Sequence, residues 1–527
     1  MELRPYQQEA VESIFREWED KKNTLLVLPT GCGKTIVFAK VAEECVRKGH
    51  RVLILAHRGE LLEQAQDKIL KTTGLGSSLE KAESTSINEW FRITVGSVQT
   101  LQSEKRLERF DKDHFDTIII DEAHHCVSNS YQNILNYFSS AKVLGVTATP
   151  DRADMKNIGS FFESLAFEYS IAKAIREGYL SKIKAMTIPL SIDLSNVGVQ
   201  AGDFKAGDVA TALDPYLEQI ADEMMKHCQN RKTLVFLPLV ATSKKFKDIL
   251  NRKGFNAAEV NGNSEDRKEV IQDFENGKYN VLCNSMLLTE GFDCPAIDCV
   301  IVLRATKSRS LYCQMVGRGT RLFPGKEEVL LLDFLWHTEK HELCRPAHLI
   351  CANEDVKKQM IKKMEEESEQ MFDIMDVEKD AESDILRQRE DRLAEELKAM
   401  KSRKRKLVDP LQFEMSIQAE DLASYVPTFA WEMAPATPKQ LQALEKYGIF
   451  PDEVQNSGYA TKLLERLHKR KDEGLATPKQ IRLLESKGFV HVGTWSFDSA
   501  SRIIGRIAMN NWRVPNGINP KEYVPEE

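Results

Sequence analysis

The sequence predicts an α/β protein: two tandem parallel-sheet lobes followed by an α-helical C-terminal region that carries a duplicated unit. Three observations carry this expectation. Short apolar runs of strand length alternate with segments of helical period from Thr24 to Val146, the pattern of an open parallel sheet. A second series of such runs begins at Leu234. Near the end of the chain, Ala436-Thr437-Pro438-Lys439-Gln440 recurs 40 residues later as Ala476-Thr477-Pro478-Lys479-Gln480.

At 527 residues the chain exceeds one hydrophobic core, and roughly three or four units are expected. The divisions read from the pattern are 1–168, 169–345, 346–430 and 431–527. A composition of 42% hydrophobic and 29% charged residues is that of a globular protein. No apolar run reaches a membrane span and no signal-peptide core opens the sequence, so a cytoplasmic location is expected. The 10 cysteines lack paired C-x-x-C spacing, which argues against a zinc centre and for reduced, buried thiols. A net charge of −7 does not favour nucleic acid, but a local groove can be basic on an acidic protein.

Leu3 to Trp18 reads as a helix with Pro5 early. Its polar start, Arg4 and Gln7, is suited to the edge of an adenine, although such an opening is also a common helix start. Thr24 to Thr35 then reads TLLVLPTGCGKT, a buried strand, a small-residue turn and the start of a helix. Thr30, Gly31, Cys32 and Gly33 form a loop whose backbone can curl around phosphate oxygens at a helix N-terminus. Lys34 supplies a charge for the β- and γ-phosphates of ATP, and the Thr35 hydroxyl suits Mg2+. Further strands are expected at Arg51–Ala56, Ile93–Val98, Thr117–Ile120 and Lys142–Val146. Asp121, directly after the third of these, can hold Mg2+, and Glu122 can orient and deprotonate a water.

The set LPTGCGKT, AHRGELLEQ, DEAH and TATP, in this order, resembles the first RecA-like lobe of a superfamily 2 helicase of the DEAH type. The DNA-directed branch, with XPB-like and restriction-translocase members, is the nearest in pattern, and a phage-encoded protein is suggested. The resemblance spans residues 1–345. It implies two RecA-like lobes with ATP and Mg2+ between them, and His124, Thr147 and Thr149 linking nucleotide state to lobe movement. LTEGFDCPAID resembles motif V, which would bring Gly291 and Asp293 to the nucleotide and Thr289 to the nucleic-acid backbone. QMVGRGTR resembles motif VI, with Gln314 and two finger arginines, Arg318 and Arg321, three apart on one helical face. His57, Arg58, Thr100 and Thr242 become further candidate backbone contacts.

The expected activity is an ATP-dependent DNA helicase or translocase in replication, recombination or repair, acting on single-stranded or forked DNA. An RNA helicase, or an ATP-gated sensor or nuclease-system motor subunit, stays open beside it. Glu354 to Lys406 is expected to form long charged helices, ending in the basic run Lys401–Lys406. In each C-terminal copy a Thr-capped, Gly-stopped helix precedes a second one, giving a pair of helical hairpins. Their matching basic residues make DNA or a replication protein a candidate partner, with plain structural duplication the alternative.

Overall fold

The computed structural model describes residues 2–56, 59–82, 84–148, 158–159, 161–200, 202–285, 288, 292–337, 343–351, 353–385, 407–417, 419, 422, 425, 427, 430–515 and 517–525. Its chain divides into two compact units. One holds Met1–Ile350 with Ile361–Val377, and the other Cys351–Met360 with Glu378–Glu527.

The first unit contains two seven-stranded sheets. Helix α1 (Pro5–Asp20) starts at proline, and Gln7 closes a capping box with Arg4. It leads into β1 (Asn23–Val27), the phosphate-loop turn and α2 (Lys34–Arg47). Then follow β2 (Val52–Ala56), α3 (Gly59–Thr73), β3 (Ser78–Glu80), β4 (Ile93–Ser97), β5 (Thr117–Asp121), β6 (Lys142–Thr147) and β7 (Ser164–Glu168). The order is β3-β4-β2-β5-β6-β1-β7, parallel throughout. Helices cover the sheet, so its inner strands are apolar on both faces: all five residues of β2 are buried.

The second sheet is built from β8 (Lys182–Asp193), β11 (Thr233–Phe236), β12 (Ala257–Val260), β13 (Val281–Asn284), β14 (Cys299–Val302), β15 (Glu328–His337) and β16 (Met371–Asp373). Between β8 and β11 lies a small ribbon of β9 (Val199–Gln200) and β10 (Asp203–Phe204). The order is β12-β13-β11-β14-β15-β8-β16, with only β16 antiparallel. A short helix, Ile171–Arg176, and a turn lead into the long strand β8. One expectation is corrected here. Residues 371–373, expected in a helix, are a strand because β8 offers them a free edge.

The C-terminal unit keeps its repeat in three dimensions. Helices Pro438–Tyr447 and Pro478–Glu485 each begin with a closed Thr–Gln capping box. Gln440 then donates to the Ser457 carbonyl (3.1 Å) and the Thr461 hydroxyl (2.9 Å). Gln480 donates to the Phe497 carbonyl (3.2 Å) and the Ser501 hydroxyl (2.8 Å), 40 residues on. These bonds tie each first helix to its second, Ser457–Asp472 or Phe497–Met509. Leu444, Leu463, Ile481 and Ile503 join one shared core. The basic run Lys401–Lys406 lies outside the described residues. All ten cysteines are buried and carry free thiols, and no helix among the described residues is long and apolar enough to cross a membrane.

Candidate active site

The site forms where the carboxyl ends of β1 and β5 face the second lobe, the usual place for a ligand in an open parallel sheet. A cleft of about 640 Å3 is lined there by Thr30, Gly31, Gly33, Lys34, Thr35, Asp121 and Glu122. The second lobe contributes Phe292, Asp293, Pro295, Arg318 and Arg321.

The loop geometry requires its glycines. Gly31 and Gly33 have φ of +92° and +79°, a region that side chains disfavour. A Cβ on Gly33 would lie 2.6 Å from Gln7 Nε2, and one on Gly31 2.9 Å from Leu180 Cδ2. Side chains from two directions therefore press on the turn, which leaves no room for a Cβ at either glycine.

Gln7 lies behind this loop. Its Nε2 donates to the Cys32 carbonyl (3.0 Å), its Oε1 accepts from the Arg4 N–H (3.0 Å), and the Tyr6 hydroxyl donates to the same Cys32 carbonyl (2.9 Å). Gln7 thus braces the phosphate loop, while Arg4 reaches the cleft and stacks over Tyr179 at 5.1 Å. Burial pushes the Cys32 thiol up to about 12, so Cys32 contributes its backbone and not a thiolate.

Lys34 Nζ lies 2.9 Å from Glu122 Oε1. Glu122 follows β5 in a left-handed conformation, φ +53°, which turns its carboxylate back toward the loop. Its Oε2 is 3.5 Å from His124 Nδ1, and both buried atoms lack a hydrogen-bond partner among the described residues. Burial presses the carboxyl toward its neutral form, but Lys34, His124 and Arg318 outweigh it and hold its pKa below the ordinary value. A carboxylate kept charged with one oxygen unspent is suited to hold a water. Asp121 Oδ1 accepts the Glu122 N–H at 3.1 Å, fixing this turn.

From the second lobe, Arg318 Nη1 donates to the Phe292 carbonyl (2.7 Å), and Arg321 pairs with Asp293. The helix Arg309–Val316 ends before either arginine, so the expected shared helical face is corrected. Gly317 presses against Thr30, and Gly319 against Val300 and Val329, and these close approaches turn the chain out of the helix. Both arginines nevertheless line the cleft. Gln314 is buried behind them. Burial lowers the Arg321 pKa to about 10.

The remaining expected residues separate. Thr147 is buried at the end of β6, its hydroxyl without a partner among the described residues. Thr100 accepts the Ala82 N–H (3.0 Å), and Thr242 is buried at 7% exposure, which opposes a surface role for its side chain. His57, Arg58, Thr149, Thr289 and Gly291 lie outside the described residues. Sequence reasoning missed Tyr179 and Lys68, which also line the cleft. Burial, then the nearby Arg321, lowers the Lys68 pKa. Neither residue sits in a motif, and only their placement exposes them.

Comparison with known proteins matches residues 1–152 to "Type III restriction enzyme, res subunit" and 216–322 to "Helicase conserved C-terminal domain". The chain is similar to the superfamily 2 helicases of the DNA-directed branch. The Saccharomyces cerevisiae protein IRC3, described as an ATP-dependent helicase, is 32% identical over 67% of this chain. The chain spans 54% of that relative, little more than half its length. DNA 3'-5' translocase XPB2 of Sulfurisphaera tokodaii is 26% identical over 64% of the chain and 82% of its own. A solved fragment described as an HsdR subunit of a type I restriction enzyme from Vibrio vulnificus superposes with a TM-score of 0.51 and 25% identity. That match covers 63% of this chain and 64% of the fragment.

Proposed function

We propose that this chain is an ATP-dependent DNA translocase or helicase that couples hydrolysis between its two lobes to movement along DNA during replication, recombination or repair. The observation that carries the reading is the meeting of Lys34, Asp121 and Glu122 from one lobe with Arg318 and Arg321 from the other around one cleft.

In this reading the Gly31–Gly33 backbone and Lys34 receive the β- and γ-phosphates of ATP, which draws Lys34 away from Glu122. The released carboxylate orients the attacking water and takes its proton, with His124 beside it. Thr35 and Asp121 are the oxygen donors that would hold Mg2+, which when bound neutralises phosphate charge. One hydroxyl and one carboxylate suit a cation that keeps water and phosphate as its other ligands. Arg321 and Arg318 then face charge developing on the γ-phosphoryl group, which makes turnover depend on lobe closure. Loss of the γ-phosphate weakens the contacts that hold the lobes together, and reopening advances one lobe along the strand.

The test is the ATPase rate without nucleic acid and then with single-stranded, duplex or forked DNA, or RNA, at matched salt. Stimulation by DNA is expected. Stimulation by RNA alone would overturn the DNA assignment, and a rate indifferent to every nucleic acid would overturn the motor. A Lys34→Ala variant that hydrolysed ATP at the wild-type rate would remove the cleft from the chemistry.

A further inference from the structure

In the second lobe the carboxyl ends of β13, β11 and β14 lie side by side. Phe236 of β11 pairs with Asn284 on one side and Val302 on the other. The alignment continues past the strands: Leu237 N–H donates to the Asn284 carbonyl (2.9 Å), and Leu303 N–H to the Phe236 carbonyl (2.9 Å). The Ser285 hydroxyl donates to the Pro238 carbonyl at 3.3 Å. The next residues on this edge are Leu239 and Val240, both 37% exposed, and Arg304. None of them lines the nucleotide cleft.

Arg304 is half-buried, and its Nε, itself shielded from solvent, has no hydrogen-bond partner among the described residues. No ion pair involves it among the described residues. The carboxylate that acts on it electrostatically, Asp203, accepts its hydrogen bonds from other groups. Asp203 Oδ1 accepts from the Phe204 N–H (2.9 Å) and the Lys307 N–H (2.8 Å), and Oδ2 from the Thr306 hydroxyl (2.8 Å). The β10 carboxylate therefore fixes the loop that carries Arg304 without pairing directly with the guanidinium. A guanidinium stays charged in any physiological setting and offers a planar fork of five donors. Held half out of water with Nε unsatisfied, it lacks an anionic acceptor, and the carboxyl edge of an open sheet is where such a ligand binds.

We propose that Arg304 grips a phosphodiester of the DNA strand that the motor follows, with Leu239 and Val240 as an apolar ledge beside the sugar. This contact rests on the DNA-motor reading above and adds a residue to its track. It replaces Thr242 as the contact from this edge: Thr242 is covered, whereas Arg304 carries unspent donors. A phosphate contact fixes register without reading bases, so it serves a motor that must step through any sequence.

The test is binding of a fluorescent 20-nucleotide single-stranded DNA, followed by anisotropy across a salt series with the full chain. Wild type is expected to bind with a steep salt dependence. Arg304→Ala is expected to bind about tenfold more weakly, its log–log salt slope shallower by about 0.7, the loss of one neutralised phosphate. Arg304→Lys keeps a charge but not the fork and is expected to keep the slope while losing about two- to threefold in affinity. An Arg304→Ala variant with wild-type affinity and slope would overturn the assignment alone. An Arg304→Lys variant whose slope falls like that of a lost charge would overturn it as well, and covers the case of an alanine variant that does not fold. Wild type with no measurable affinity for DNA would instead overturn the motor reading.

Discussion

The ammonium of Lys34 and the carboxylate of Glu122 hold each other at 2.9 Å across the mouth of the cleft, although 88 residues separate them in the chain. The pair is largely shielded from solvent, each side chain being 14% exposed, so each partner lowers the cost of burying the other. In the proposed mechanism ATP phosphates compete for the same lysine, so the ion pair would act as a latch on Glu122. Glu122→Gln removes the carboxylate while keeping its shape. We expect it to bind ATP at least as tightly as wild type and to turn over at least about a hundredfold more slowly. Nucleotide binding by fluorescence and single-turnover hydrolysis measure both effects, and fast turnover in the variant would exclude Glu122 as the base.

Arg321 is held by Asp293 within its own lobe and presses its stem toward Gly31 of the other, the Arg321 Cγ lying 3.4 Å from an added Gly31 Cβ. An arginine that touches the γ-phosphoryl group only on closure contributes to kcat and little to ground-state affinity. Arg321→Ala is expected to lower kcat by about a thousandfold or more with ATP affinity nearly unchanged. Steady-state ATPase with a parallel binding titration decides it, and full activity would exclude Arg321 as a finger.

Asp333 on β15 is buried and faces Arg345 at 3.5 Å. Burial raises its pKa to about 6, with Arg345 pulling the other way. Because the folded value exceeds the unfolded one, the folded state binds the extra proton between about pH 4 and pH 6. The associated stability is complete below about pH 4 and is lost as pH rises through about 6. Urea unfolding of wild type across this window should show that decline, and Asp333→Asn should flatten it. An unchanged slope in the variant would assign it to other groups.

The capping boxes of the C-terminal unit offer a direct comparison. Thr477→Ala is expected to cost about 1 kcal/mol, as is Thr437→Ala in the first copy. Gln480→Ala should cost more than either, because Gln480 also ties two helices together through the Phe497 carbonyl and the Ser501 hydroxyl. Thermal and urea unfolding of the three variants check the ranking.

Much of the site is legible in the sequence because its parts are local. A phosphate loop is a strand, a turn and a helix start, and Thr24 to Thr35 contains all three in order. Asp121 closes its strand and Glu122 follows it directly, and the C-terminal repeat keeps its caps and stops at one offset. Strand β8 is not read from the sequence, and its strand character comes from β15 beside it. Met371 to Asp373 likewise becomes a strand only by finding an edge.

The chemistry open to this chain is written in its sequence: which residues can cradle phosphate, hold a cation, take a proton or supply a guanidinium depends on side-chain type and short spacing. How those residues are used depends on contacts made across the fold. Packing ends the motif VI helix before Arg318, sets Gln7 against the loop backbone, covers Thr242 and leaves the Arg304 Nε without an acceptor. Each of these follows from close packing and from the requirement that buried polar groups find partners, and those partners lie far away in the chain.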